Sequence, residues 1–520
     1  MSEPTAPDDE RARRQADVDD LRARGVEPYP VRFDRDRTLA ELRDEFGSLG
    51  PGEETDVEVR VAGRIMLLRR QGRLTFATIR DRDGSVQLFV SRAVVGEDAH
   101  EAFDRLDLGD WVGVHGTVMA TKKGELSVKV QSFVLLAKAV RPLPDKWHGL
   151  TDVDTRFRQR YVDLIVNDDA RRVFAIRSAA ITEIRRFLTE RGYVEVEGPV
   201  LQLEAGGANA RPFVAHHNAL DLRLYLRVAL ELHLKRLIVG GLEKVFEIGR
   251  VFRNEGIDTS HNPEFTMLEL YEAFVDYHEM MTLTEELVAS AARAALGTTV
   301  VPLAGRDVDL APPWPRVAML DLVEKYTGVR VHPSQSVEEL RATLEHLGLA
   351  YDPAWGPGRL VVEIYDERVE PEIVEPVFVT DHPLEVSPLA RLHRDDPLLV
   401  ERFEAVVGGR ELANAFSELN DPVDQRRRFE QQARLRAAGD EEAGGVDEDY
   451  VRALEYGMPP TGGMGLGIDR LVMLLAGVTS IRRNLWRSSR RSARASACPS
   501  TRSGARGGSS WSSTTTWWSR

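Results

Sequence analysis

Two runs, Val245-Phe-Glu-Ile-Gly-Arg-Val-Phe-Arg253-Asn-Glu255 and Asn262-Pro-Glu-Phe265-Thr-Met-Leu-Glu269-Leu-Tyr271, decide how this sequence is read. Each alternates with the period of a strand, and the polar stretch Gly256 to His261 joins them. The pair therefore reads as a strand, a loop and a returning strand. At period two, Phe265, Met267, Glu269 and Tyr271 share one face of the returning strand, and Thr266, Leu268 and Leu270 take the other. A carboxylate and a phenol beside two apolar side chains make a poor core surface and a reasonable pocket wall. The same pattern also suits an amphipathic hairpin with a solvated polar face, and these residues alone leave both readings open.

Two further segments share this character. In Gly409-Arg-Glu411-Leu-Ala-Asn414-Ala-Phe416-Ser-Glu418, a strand would align Asn414, Phe416 and Glu418. Glu404, Glu411 and Glu418 recur every seven residues, but Gly408-Gly409 interrupts any helix that would stack them. Carboxylates gathered in one place need a divalent cation or a cationic ligand to offset their repulsion, unless solvent separates them. The other segment, Gly462-Gly-Met-Gly465-Leu-Gly467-Ile-Asp-Arg470, reads as a glycine-rich turn leading into the apolar helix Leu471 to Ala476. Such a turn lets backbone N–H groups approach an anion, although its spacing is not that of a dinucleotide fingerprint. His216-His217 has no third ligand in view, which argues for a structural use rather than a metal site.

Around these segments the composition is that of an ordinary globular protein. The chain has 520 residues, 42% hydrophobic and 29% charged, with 41 Gly and 26 Pro. That length implies two to four domains, and the balance excludes collagen-like, wholly disordered and disulfide-stapled classes. A single cysteine, Cys498, excludes a disulfide framework and a multi-cysteine zinc site. Nothing is apolar enough to span a bilayer, and Met1 to Arg14 has no secretory apolar core, so the expected location is cytoplasmic. The formal charge of −14 argues against a general nucleic-acid coat protein but not against a local RNA-binding face.

The expected organisation begins with a charged, helical extension over 1–54, with helices near Asp8–Arg24 and Thr38–Phe46. Five short strands follow within 55–140, at Val57–Gly63, Leu74–Arg80, Ser85–Val90, Trp111–Val118 and Leu126–Val134. Lys122-Lys-Gly124 is a hairpin turn between the last two. Five such strands predict a small β-barrel of the OB-fold type. Arg141-Pro-Leu-Pro144 opens a stiff linker, 141–155. Helices and strands then mix from 156 to 482, with helices expected at Ala170–Arg191 and Tyr225–Val239. A partly helical inserted subregion is expected at about 276–358. The last 38 residues, Arg483 to Arg520, depart from all this: eight Arg, eleven Ser, four Trp and no acidic residue. They read either as a basic RNA-binding tail or as translation in a shifted frame, and disorder is expected.

Taken together, these segments resemble class II aminoacyl-tRNA synthetases, specifically the lysyl-tRNA synthetase family with an N-terminal OB domain. Phe252-Arg-Asn-Glu-Gly256 with His261-Asn-Pro-Glu-Phe-Thr266 is similar to the family's second motif, and Gly465-Leu-Gly-Ile-Asp-Arg470 to its third. Glu197-Gly-Pro199 is similar to the first, which in the family lies at a dimer interface. Gly206-Gly-Ala-Asn-Ala-Arg-Pro212, Tyr225-Leu-Arg with Glu231-Leu-His-Leu-Lys235, and Gly409-Arg-Glu with Phe416-Ser-Glu-Leu-Asn-Asp421 also match. The resemblance covers about residues 55 to 482. The implied fold is α+β: an anticodon-binding OB barrel followed by an antiparallel catalytic sheet flanked by helices.

The resemblance implies ATP-dependent ligation of L-lysine to tRNA(Lys) through a lysyl-adenylate, by a homodimer. It places Arg253 on the α-phosphate and the lysine carboxylate, and Arg470 over the adenine and γ-phosphate. Glu255, His261, Asn262 and Phe265 would hold the adenine, with Gly467 also in the ATP site. Glu404 and Glu411 would bind Mg2+ on the triphosphate. Glu269, Tyr271 and Glu418 would receive the lysine ε-ammonium, Glu231 and the Gly207 backbone the α-ammonium, with Asn414 and Phe416 completing the pocket. In the barrel, Phe76, Gln87 and Glu125 would read the anticodon by stacking and base-edge hydrogen bonds; Phe76 also suits a barrel core position. An acidic pocket argues against the related aspartyl and asparaginyl enzymes, and the barrel against a lysine-to-protein ligase of the same catalytic fold. A tRNA-binding protein without catalysis is the remaining alternative. After Arg482 the family continues with Arg-Asp and an apolar segment ending in Phe-Pro, whereas Arg483-Asn-Leu-Trp stands here.

Overall fold

A computed structural model describes residues 7–144, 150–204, 206–208, 210–437 and 444–483. The Arg/Ser-rich tail from Asn484 onward, with Cys498, lies outside the described residues. The chain divides into two compact units, 1–156 and 157–520.

The first unit holds a closed five-stranded barrel, β1 (Glu54–Gln71), β2 (Leu74–Arg80), β3 (Ser85–Ser91), β4 (Trp111–Ala120) and β5 (Leu126–Ala137), in the order β1-β2-β3-β5-β4. Alternation builds it: Val59, Val61, Ala77, Ile79, Val86, Leu88, Val112, Val114, Val128 and Val130 point inward and are buried. The long β1 shifts register between Ile65 and Leu67, which lets one strand serve two neighbours. Helix Leu39–Phe46 plugs this core with Leu39 and Leu42. Its start is fixed by a capping box, in which the Thr38 hydroxyl accepts from Glu41 N–H at 3.2 Å and Thr38 N–H donates back to Glu41 at 2.7 Å.

In the second unit, short strands β6 (Val194–Glu195), β7 (Leu201–Gln202), β8 (Val214–His217) and β9 (Leu222–Leu226) precede the long hairpin β10 (Lys244–Phe252) and β11 (Glu264–Ala273). A small hairpin, β12 (Val300–Leu303) and β13 (Arg306–Asp309), leads on to β14 (Arg316–Ala318) and β15 (Val377–Thr380). Strands β16 (Arg402–Val406), β17 (Glu411–Ser417) and β18 (Thr461–Gly467) follow. Eight of these form one sheet in the order β14-β15-β16-β17-β18-β11-β10-β6, antiparallel except for the pairs β14–β15 and β10–β6. Leu268, Leu270, Ala413, Ala415, Met464 and Leu466 face a core made with helices Asp168–Glu190, Tyr277–Leu296 and Ile468–Ala476. The opposite face carries Phe265, Met267, Tyr271 and Phe416 against helices Glu231–Val239 and Glu448–Glu455.

Three expectations are corrected. The segment Tyr225–Val239 is not one helix: Leu222–Leu226 is a strand and the helix starts at Glu231. Apolar residues at 224, 226, 228 and 230 serve both periods, and pairing with β7 and β8 decides. Helix Tyr277–Leu296 does not open an insertion, because Met280, Met281, Leu287, Val288 and Ala291 lie in the sheet core. The glycine-rich run 462–467 is not a turn but strand β18, paired on both sides, at the centre of the sheet.

Candidate active site

Strand register gathers residues that are far apart in sequence. One row across the sheet reads Glu247, Glu269, Gly465, Asn414 and Glu404; the parallel row reads Val245, Tyr271, Gly463, Phe416 and Arg402. The glycines of β18 explain why a pocket forms there. A β-carbon on Gly463 would collide with the Glu418 carboxylate and the Tyr271 ring, so the bare strand is the pocket floor. Gly207 is in the left-handed region at φ 89, and a β-carbon there would lie 3.4 and 3.1 Å from the Glu231 and Ala229 β-carbons, a position that favours glycine.

Above this floor three carboxylates converge, all fully buried: Glu231, Glu269 and Glu418. Glu269 accepts from Leu230 N–H at 3.0 Å and from the Tyr271 hydroxyl at 3.1 Å. Burial, followed by the neighbouring Glu231, pushes its pKa up to about 8, so it holds its proton at neutral pH. Lys235 pairs with both Glu231 and Glu418 and lies 5.2 Å from the centroid of the Phe416 ring. Asn414 is buried on the same face and donates to Glu404 at 3.4 Å.

At one end of the pocket stands Arg253, buried where the hairpin loop begins. Its guanidinium lies 5.3 Å from the Phe265 ring centroid and donates to Val228 O at 3.4 Å. Asn262 donates to Glu264 O at 2.6 Å, and His261 pairs with Asp258 at 2.7 Å. Glu255 is half-buried, with its pKa raised by burial. Arg470, at the start of helix Ile468–Ala476 just after Gly467, donates to Glu411 O at 2.6 Å. Burial lowers its pKa to about 10, which leaves it cationic at neutral pH. Glu404 accepts from Arg402 at 2.7 Å and keeps Oε2 buried without a hydrogen-bond partner among the described residues. Burial also pushes the Glu404 pKa well up.

The structure thus gathers Glu231, Glu269, Tyr271, Asn414, Phe416 and Glu418 into one buried cluster with Arg253 beside it, next to a cavity lined by Gly207, Leu232, Arg402 and Phe416. Glu404, Glu411 and Arg470 form an adjoining cluster on β16, β17 and the helix after β18, joined to the first where Asn414 donates to Glu404. Two participants were passed over in the sequence. Lys235 follows Glu231 by one helical turn, the spacing that signals their pairing. Asp469 accepts from Thr266 N–H at 2.7 Å and from Arg177 at 2.5 Å, locking the third motif onto β11. Within the first unit, Phe76 is not a core residue: β2 turns Thr75, Ala77 and Ile79 inward and leaves Phe76 half-exposed. It packs edge-on to Phe89 at 5.6 Å. Arg69, Phe76, Phe89 and Lys129 form one cross-strand row, and Arg69 donates to Gln87 at 3.2 Å. Glu125 is exposed in the hairpin turn. The row sets two aromatics between two cations.

No helix among the described residues is long and apolar enough to cross a membrane. The family described as tRNA synthetases class II (D, K and N) matches residues 152–486, and the OB-fold nucleic acid binding domain matches residues 59–136. The chain is 53% identical to Lysine--tRNA ligase of Moorella thermoacetica, over 92% of this chain and 96% of the relative. It is 52% identical to Lysine--tRNA ligase of Nostoc punctiforme, over 91% and 86%, and of Enterococcus faecalis, over 90% and 95%. A nucleic-acid-binding barrel, a carboxylate-lined pocket beside a buried arginine, and these matches over most of the chain lead to one assignment: the chain belongs to the class II tRNA synthetases of the D, K and N group.

Proposed function

We propose that this chain joins L-lysine to tRNA(Lys), using ATP, through a lysyl-adenylate. The observation that carries the reading is the convergence of Glu231, Glu269 and Glu418, fully buried, in one pocket beside Arg253. Three desolvated carboxylates are costly unless cations meet them, and lysine brings two ammonium groups. Aspartate and asparagine would bring a side-chain carboxylate or amide instead. The relatives named Lysine--tRNA ligase support the same substrate.

In this reading Glu418, Glu269 and Tyr271 receive the ε-ammonium, Glu231 and the Gly207 backbone the α-ammonium, and Phe416 covers the methylene chain. Arg253 orients the lysine carboxylate against the α-phosphate of ATP. A carboxylate oxygen attacks the α-phosphorus and the bond to pyrophosphate breaks. Arg253 and Arg470, fixed before substrate arrives, offset the charge that builds on phosphate oxygens. No protein nucleophile takes part; the chain positions the reactants and stabilises charge. In the second step the terminal ribose hydroxyl of tRNA attacks the lysyl carbonyl and AMP leaves. Phe265, Glu255, His261 and Asn262 hold the adenine, and Phe76, Gln87 and Glu125 read the anticodon.

Glu404 and Glu411 fit a magnesium ion that also takes phosphate and water oxygens, since they offer hard donors and one buried orphan oxygen. Such an ion would neutralise triphosphate charge. The exposed apolar residues Val194, Val200, Leu201, Leu203 and Val214, around the first motif, support a homodimer. A cytoplasmic site of action completes the proposal. Charging of a tRNA(Lys) transcript with radiolabelled lysine tests it. Lysyl-tRNA is expected, and charging with aspartate in its place would contradict the reading.

A further inference from the structure

One ammonium already lies among the pocket carboxylates. Lys235 is fully buried one turn beyond Glu231 on helix Glu231–Val239. Its Nζ donates to Glu231 Oε1 and pairs with Glu418 Oε2, and it lies 5.2 Å from the Phe416 ring centroid and 5.7 Å from that of Tyr271. Burial pulls the pKa of this amine down. Glu231 and Glu418 more than offset that, and the group stays protonated.

The arrangement uses half of each carboxylate. Lys235 takes Oε1 of Glu231 and Oε2 of Glu418. The other two oxygens, Glu231 Oε2 and Glu418 Oε1, are buried and have no hydrogen-bond partner among the described residues, and Glu418 Oε2 meets Lys235 as an ion pair without a well-aligned hydrogen bond. Glu418 Oε1 is turned toward the glycine floor, where a β-carbon on Gly463 would strike it. Two unpartnered acceptor oxygens, on carboxylates tied to one cation, are left to receive two donors. The charges agree once Glu269 releases its proton to an arriving ammonium: with Lys235 in place, two further ammonium groups would then give each of the three carboxylates a cation.

We propose that Lys235 is a positioning residue for amino-acid selection: it ties Glu231 to Glu418 and thereby fixes the spacing of the two oxygens that receive the α- and ε-ammonium groups. The pocket then measures side-chain length as well as charge. Ornithine carries the same charges as lysine on a chain one methylene shorter, so spacing alone separates the two. This inference rests on the pocket being the lysine site. That premise is tested separately, by lysine-dependent exchange in the unaltered chain.

The experiment is ATP–pyrophosphate exchange by the full chain and its Lys235→Met and Lys235→Arg variants, with lysine and ornithine as varied substrates. Lys235→Met is expected to raise the lysine KM about tenfold or more while kcat and the ATP KM stay within about threefold. The preference for lysine over ornithine in kcat/KM is expected to fall by about tenfold. Lys235→Arg restores the cation at a different length. It is expected to recover most of the lysine KM while leaving the lysine-to-ornithine preference lowered. A role in folding alone would instead lower stability and move lysine and ornithine together. A folded Lys235→Met variant with unchanged lysine KM and preference overturns the proposal. So does a fall in lysine KM, which would make the ammonium a competitor of substrate. Should Lys235→Met fail to fold, Lys235→Arg decides: an unchanged preference overturns the proposal and a lowered one supports it.

Discussion

Replacing Gly463 by alanine adds one methyl group to the pocket floor and should damage lysine use far more than ATP use. The added carbon would overlap Glu418 Oε1 and Tyr271 Cε1, with Tyr271 Cδ1 at 2.7 Å. The strand has no room to retreat, because Gly463 is paired to Tyr271 on one side and Phe416 on the other. Either the Glu418 carboxylate or the Tyr271 ring must therefore leave its place. Losing one charge-assisted contact to the ammonium costs about 1.5–3 kcal/mol, or about 10- to 150-fold in kcat/KM for lysine. Overpacking should also cost about 1–3 kcal/mol of stability. Gly462→Ala is the control. Its β-carbon would meet Met280 Cγ at 2.9 Å and the Asp276 carbonyl at 3.1 Å, on the opposite face. It should lose comparable stability, read by thermal unfolding, with lysine kcat/KM unchanged. Gly463→Ala that keeps lysine kcat/KM within about threefold, or Gly462→Ala that loses as much, would refute the reasoning.

Other predictions address separate parts of the molecule. Glu269 is held neutral until about pH 8 by burial and Glu231, whereas the unfolded chain releases this proton near the ordinary value of 4.5. The folded state therefore binds the extra proton between those values, and stability falls as pH rises through that window. Glu269→Gln should flatten the fall, measured as thermal midpoint against pH. Lysine binding to the unaltered chain near pH 7 should release protons, seen by calorimetry in buffers of different ionisation heat. Asp469→Asn loses the charge that holds Arg177 and should cost about 3 kcal/mol, read by urea unfolding. Phe76→Ala should raise the KM for tRNA in aminoacylation and leave exchange without tRNA unchanged, since the ring lies on the barrel's half-exposed face.

The parts of this architecture legible in the sequence are those with a clean period. The β10–β11 hairpin and its two faces follow from alternation alone, because one face is core and the other pocket, and the five barrel strands follow likewise. Tyr225–Val239 failed because four alternating apolar residues precede a true helix, and only pairing with neighbouring strands separates the two. The glycine run 462–467 was misread because glycines usually mark turns. Here the missing side chains make room for Tyr271 and Glu418, a contact with residues far off in sequence. Lys235 was illegible for a similar reason. Its spacing from Glu231 was plain, but Glu418, its second partner, comes from a strand that only the folded sheet brings near.

The most direct test of the central claim is amino-acid-dependent ATP–pyrophosphate exchange without tRNA, with lysine, aspartate and asparagine compared in turn. Exchange with lysine and neither of the others is predicted, because Glu231, Glu269 and Glu418 offer buried acceptors suited to ammonium groups and not to a side-chain carboxylate or amide. Exchange driven by aspartate or asparagine, or none with lysine, would contradict the account.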